Sequence, residues 1–103
     1  MEELFFTKIV GTTFCNGQKV IEELEEGDML SLVKEPTNPY HKNAIAVVNP
    51  KTSERIGYIP RNTADSLTRQ MVDESNQTFV AFVSEITGQD KDNKGCNISI
   101  NKM

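Results

Sequence analysis

A small all-β fold, an OB-like antiparallel barrel of five to six strands with one inserted α-helix, follows from three features of the sequence. Short apolar runs rich in β-branched and aromatic residues recur along the chain, separated by Gly, Pro and Asn turn signals. One stretch, near Thr63 to Asp73, holds helical spacing long enough to predict a clear helix. Strands throughout, with that helix inserted late, fit a small OB or SH3-like barrel better than a sandwich or a parallel sheet.

The first strand is predicted at Leu4 to Val10, an aromatic and β-branched run that ends at Gly11. Cys15-Asn16-Gly17-Gln18 contains Asn-Gly, a strong short hairpin signal, and predicts a tight turn with a strand after it. Val20 to Glu26 stays open, because Val20, Ile21 and Leu24 lie at helical spacing in a short segment. Met29 to Val33 alternates as a strand. Pro36 and Pro39 then impose an extended, non-helical connection. Ala44 to Val48 reads as a buried strand, Asn49 to Thr52 as a turn, and Arg55 to Ile59 as the hairpin partner. For the helix, Asn62 is the expected N-cap, with Ala64, Leu67, Met71 and Val72 on its apolar face. Phe79 to Ile86 and Asn97 to Ile100 complete the strands around a polar turn, Gly88 to Gly95.

Length bounds the answer. The 103 residues are read as one domain, 1–103, long enough for a single modest core. With 37% hydrophobic and 25% charged residues, global disorder is not expected. No apolar run approaches the roughly 20 residues of a membrane span, and the acidic start Met1-Glu2-Glu3 does not resemble a signal peptide. A cytoplasmic protein is expected. Cys15, Cys96 and His41 are the only cysteines and histidine, too few for a zinc site. A disulfide fits the count, whereas a reducing compartment favours two buried thiols.

The phosphate loop, the nucleophile elbow and HExxH are all missing, so an enzyme is not expected. Asp90 to Gly95 resembles the start of a calcium loop, but Lys94 and Asn101 stand where ligands are needed. No cofactor, metal or small-molecule substrate is implied. The net charge is −4, yet Glu22, Glu23, Glu25, Glu26 and Asp28 crowd five acids into seven residues. Between Lys34 and Arg69 the balance reverses to +3. A local basic site is expected rather than broad attraction to duplex DNA.

Three pieces stand out in order: Glu-Pro-x-Asn-Pro-Tyr at 35–40, Asn-Ala-Ile-x-Val at 43–47, and Ile-Gly-Tyr-Ile-Pro-Arg at 56–61. The prolines hold Tyr40 on a stiff loop, which lowers the ordering cost of using it as a contact. Gly57 permits a close approach. Pro60 hands Arg61 to the start of the helix. Phe14, Tyr40 and Tyr58 offer flat faces, and Lys42 and Arg61 offer cations beside them, the combination a single-stranded nucleic acid requires. Read from the residues alone, Phe14 and Tyr58 favour core positions, and His41 favours an ordinary surface position.

With Ile9-Val10-Gly11 and Phe14 ahead of them, these pieces resemble the HIRAN domain family over roughly Phe6 to Leu67. The resemblance implies an OB-like barrel that captures single-stranded DNA, with a preference for 3′ ends, in DNA repair, replication or mobile-element processing. It implies stacking by Phe14 and Tyr40, a phosphate contact at Arg61, and Tyr58 in the same pocket. Two positions depart from the pattern: His41 replaces the acid that meets the terminal hydroxyl, and Thr13 replaces a base. The alternative is a protein-interaction module on the same barrel that has lost DNA-end binding, which the acidic balance and these departures favour.

Overall fold

The computed structural model describes residues 2–12, 17–35, 37–73, 79–88 and 94–102, with side chains other than those of 2–4 and 70–73. Six strands and two helices follow in the order β1 (Glu2–Lys8), α1 (Gly17–Glu22), β2 (Met29–Lys34), β3 (Ile45–Asn49), β4 (Glu54–Tyr58), α2 (Arg61–Asp73), β5 (Phe79–Thr87) and β6 (Gly95–Lys102). The strands form one antiparallel sheet ordered β1-β6-β5-β2-β3-β4. Past the end of β1, Val10 and Tyr58 exchange two backbone hydrogen bonds of 2.8 Å. The first strand segment therefore meets the last strand in the order, and the sheet curls into a partial barrel.

Register shifts in the β1–β6, β3–β4 and β5–β6 pairs help this curling, because a bulge bends a strand and raises its twist. The β4 bulge falls at Ile56, just before Gly57. A Cβ on Gly57 would run into the Val10 carbonyl oxygen and come within 2.8 Å of Ile9 Cγ2. The expected close approach at Gly57 is thus an approach of backbone to backbone. Inside the curl lie Leu30, Ile45, Val47, Ile56, Ile98 and Ile100, all fully buried, with Ala64 and Leu67 of α2 closing one side.

Two local expectations are corrected. The residues after Asn-Gly form helix α1 instead of a strand; Asn16 and Cys15 lie outside the described residues. Gly17 is needed there for space, since a Cβ would strike the carbonyl oxygens of Thr12 and Ile56. Gln18 then ties α1 to the start of β6, donating to the Lys94 carbonyl (2.8 Å) and accepting from the Lys94 amide (2.6 Å). The open segment Val20 to Glu26 resolves as the rest of this short helix and a turn at Gly27, whose φ is 91°. Asp28 caps that turn by accepting from the Glu25 amide at 2.9 Å.

The second correction concerns the start of α2. The Ala64 amide donates to the Pro60 carbonyl at 2.8 Å, so Pro60 occupies the cap and Arg61 is the first helical residue. Asn62 sits inside the first turn, exposed. The Asn49 to Thr52 turn is as expected: the Asn49 side chain accepts from the Lys51 amide (3.0 Å) and its carbonyl from the Ser53 amide (2.7 Å). Cys96 is a free buried thiol, and burial pushes its pKa up to about 11. Most of the calcium-loop resemblance, Asp90 to Asn93, lies outside the described residues. Among the described residues no helix is long and apolar enough to cross a membrane, and no three His, Cys, Asp or Glu side chains gather as metal ligands.

Adding one methyl group at the β4 closure tests whether the two backbones meet there. Gly57→Ala should lower stability by roughly 1–3 kcal/mol, the usual range for overpacking, read as a lower urea midpoint at an unchanged slope. An unchanged midpoint would mean that the strands stand further apart.

Candidate nucleic-acid interface

The loop between β2 and β3 is built around two side chains. Asn38 Oδ1 accepts from the backbone amides of Tyr40 (2.8 Å) and His41 (3.2 Å), the pattern of an Asx turn. Glu35 anchors the loop's base: its Oε1 accepts from Asn38 Nδ2 (3.2 Å) and from the Tyr58 hydroxyl (2.8 Å), and its Oε2 pairs with Arg55 (2.8 Å). The Arg55 guanidinium also stands 5.6 Å from the centre of the Tyr58 ring. Tyr58 is therefore neither plain core nor a free face. It is half-buried and bonded at the edge of the loop.

From this base the loop runs along one stripe of α2, at positions 61, 65 and 68, which share a helix face. Arg61 Nη2 donates to the Tyr40 carbonyl at 2.8 Å. Asp65 Oδ1 accepts from Asn43 Nδ2 at 2.9 Å and lies 3.0 Å from His41 Nε2. The histidine contact has ion-pair distance but lacks hydrogen-bond alignment, so it acts through charge and only when the imidazole is protonated. The Asn43 hydrogen bond holds the Asp65 pKa below its ordinary value, helped by His41, Arg69 and Arg61 and opposed by partial desolvation. Held in this way, Tyr40 is 86% exposed. The peptide is fixed and the ring is free.

Of the residues singled out from sequence, Tyr40, His41, Lys42 and Arg61 come together on this loop and helix start, with Tyr58 just beneath. Phe14 and Thr13 lie outside the described residues. Sequence reading missed the residues that hold the others, Asn38, Glu35 and Asp65. Asn38 carried a legible signal, since Asn before Pro and two residues before Tyr40 suits an Asx turn. Asp65 carried none, being 24 residues from His41. Electrostatically, both carboxylates at this corner are engaged, whereas Lys34, Lys42, Arg61 and Arg69 form no ion pair among the described residues. The corner suits an anionic ligand that also presents a flat face.

The HIRAN domain family model matches residues 3–102. Among solved structures, the HIRAN domain of human HLTF superposes with a TM-score of 0.70 at 22% identity, over 96% of this chain and 74% of that one. A protein from Lactobacillus plantarum superposes with a TM-score of 0.75 at 21% identity, over 97% of this chain and 95% of that one. At these identities the superpositions establish the shared fold. No curated protein matches the chain.

His41 and Asp65 define a test of the loop's seating. His41→Asp sets a second carboxylate against Asp65, and should lower the melting temperature by on the order of a few degrees. Adding Asp65→Asn should restore it. Because the Asp65 pKa is depressed on folding, its contribution is present above the ordinary aspartate value of about 3.9 and fades as pH falls through the lower folded value. The melting difference between wild type and Asp65→Asn should therefore shrink in acid. A constant difference from neutral to strongly acidic pH would refute the pairing.

Proposed function

The chain belongs to the HIRAN domain family, and from that membership we propose that it is a binding module for single-stranded DNA, not an enzyme. The observation that carries this is Tyr40: a ring 86% exposed on a loop braced by Asn38, with the Arg61 guanidinium bonded to its own carbonyl. A base stacks on such a ring without any ordering of the loop, and base stacking on an aromatic side chain contributes about 1–3 kcal/mol. Arg61 keeps uncommitted N–H donors for a phosphate. Lys42 on the loop and Arg69 on α2 add further positive charge.

Preference for a 3′ end rests on His41, which occupies the position of the acid expected to meet the terminal hydroxyl. Its Nε2 is turned toward Asp65, 3.0 Å away. Neutral imidazole accepts from a hydroxyl more weakly than a carboxylate does, and imidazolium cannot accept at all. Strand binding is therefore expected to outweigh end selection. The alternative, a protein-interaction module on the same barrel, draws on the net charge of −4 and on these same departures.

Anisotropy with short labelled oligonucleotides carrying free, phosphorylated and blocked 3′ ends, across a salt series, tests the proposal. Tyr40→Ala should weaken binding about tenfold or more, as expected when one base no longer stacks on a ring, with the melting temperature unchanged. Equal binding by wild type and Tyr40→Ala, or no binding by wild type, would move the protein to the interaction reading.

A further inference from the structure

We propose that Phe6 and Phe82, with Ser99 between them, form a second base-stacking site on the outer face of the sheet. The strand register carries the placement. Phe6 of β1 lies opposite Ser99 of β6, Ser99 opposite Phe82 of β5, and Phe82 opposite Met29 of β2. Residues directly opposite in a ladder share a face, so these side chains form one row across four strands. The row lies outside the barrel, because the alternate positions Phe5, Ile100, Ala81 and Leu30 pack in the core. Phe6 is 63% exposed, Met29 is exposed as well, and Phe82 is half-buried without joining the core cluster.

Phe6 and Phe82 are two strand spacings apart, roughly 9–10 Å between backbones. A flat ring held between two others needs roughly 7–8 Å, twice the distance of carbon contact. Serine is small enough to leave that space open, and neither phenylalanine makes a ring contact among the described residues. The floor of the slot is polar. Ser99 Oγ accepts from Asn101 Nδ2 at 3.3 Å, which leaves its own proton to donate. Beside it on β6, Asn97 Nδ2 donates to Glu85 at 3.3 Å, which leaves the amide oxygen to accept. A nucleobase has two flat faces and an edge of donors and acceptors, and the slot offers a partner to each. Lys8, opposite Asn97 on the same face as Phe6, is exposed and forms no ion pair among the described residues. A phosphate next to the stacked base meets that cation.

Single-stranded DNA is named as the occupant from continuity with the Tyr40 corner, and for that identity the inference rests on the proposed function. From Met29 the outer face of β2 leads to Val33, also exposed and about 13 Å along the strand. Val33 lies opposite Ala46, and Ala46 opposite Tyr58, whose hydroxyl reaches Glu35 at the base of the loop. Exposed apolar side chains thus lead from Phe6 to the loop that carries Tyr40. A strand on that track meets aromatic rings at both ends and runs for several nucleotides, in keeping with the roughly 4–16 that one OB fold holds.

Titration of the ¹⁵N-labelled protein with an octathymidylate tests the second site. The amides of Phe6, Ser99 and Phe82 should shift saturably, together with those of the Tyr40 loop. Phe6→Ala should weaken binding about tenfold, as expected when one base loses its ring, with little change in melting temperature. Phe6→Trp, which keeps a flat face, should retain it. Lys8→Gln should flatten the slope of log K against log salt by about 0.7, the share of one backbone phosphate. Shifts at the Tyr40 loop alone, with equal affinity for wild type and Phe6→Ala, would overturn the second site and leave the proposed function standing. Shifts at Phe6, Ser99 and Phe82 alone would support the slot and sink the Tyr40 site, while no binding at all would sink both. Shifts of the slot amides with protein concentration, in the absence of nucleic acid, would also overturn the slot, because they give that face to a second copy of the chain.

Discussion

At Gly57 the backbone of β4 comes against the carbonyl of Val10, and a single side-chain carbon there would hold the two apart. The paired hydrogen bonds between Val10 and Tyr58 depend on that approach, and they bring the two ends of the strand order together. The consequences run outward along the chain. Tyr58, held at the closure, places its hydroxyl on Glu35 at the far end of β2. Two residues later Pro60 starts α2, which fixes Arg61, Asp65 and Thr68 on the stripe that faces the loop. A close approach in the barrel wall thereby sets where the loop can sit.

The loop itself is an example of preorganisation by main-chain bonds. Asn38 and one Arg61 donor hold the loop's backbone, Glu35 holds the Asn38 side chain and Asp65 holds Asn43, leaving the Tyr40 ring exposed. An exposed aromatic ring on a flexible loop would give up rotational and backbone freedom on stacking. Here most of the backbone part is already given up in the free protein, so more of the stacking energy appears as affinity.

Charge is divided between two regions of the chain. The acids of the 22–28 run are engaged locally or exposed, with Asp28 capping a turn and Glu22 3.5 Å from Lys94. At the loop and α2 both acids are committed to partners, and four cations form no ion pair among the described residues. A whole-chain charge of −4 would discourage binding to a polyanion at long range, while the local surplus attracts one at contact distance. Such a division agrees with the proposed binding of a short, locally seated ligand better than with diffuse coating of a duplex.

Much of the fold was legible in the sequence, because strands report themselves through local rules. LFFTKIV, AIAVV and FVAFVSEI carry β-branched and aromatic residues at strand spacing, and the Asn49 turn carries its own hydrogen-bonding side chain. The basic balance between Lys34 and Arg69 and the stiff presentation of Tyr40 were equally local properties. Local rules failed where a residue answers to a distant one. Gly17 looked like half of a hairpin turn, but its missing side chain makes room for the carbonyls of Thr12 and Ile56, the latter nearly forty residues away. Asn62 had the chemistry of a cap, yet the Pro60 carbonyl takes the first helical bond and the helix starts earlier. Tyr58 by itself favoured a core position, but the barrel closure leaves it half-buried with Glu35 beside its hydroxyl. The meeting of His41 with Asp65 has no signature in spacing, since only the packing of α2 against the β2–β3 loop brings those side chains within reach of one another.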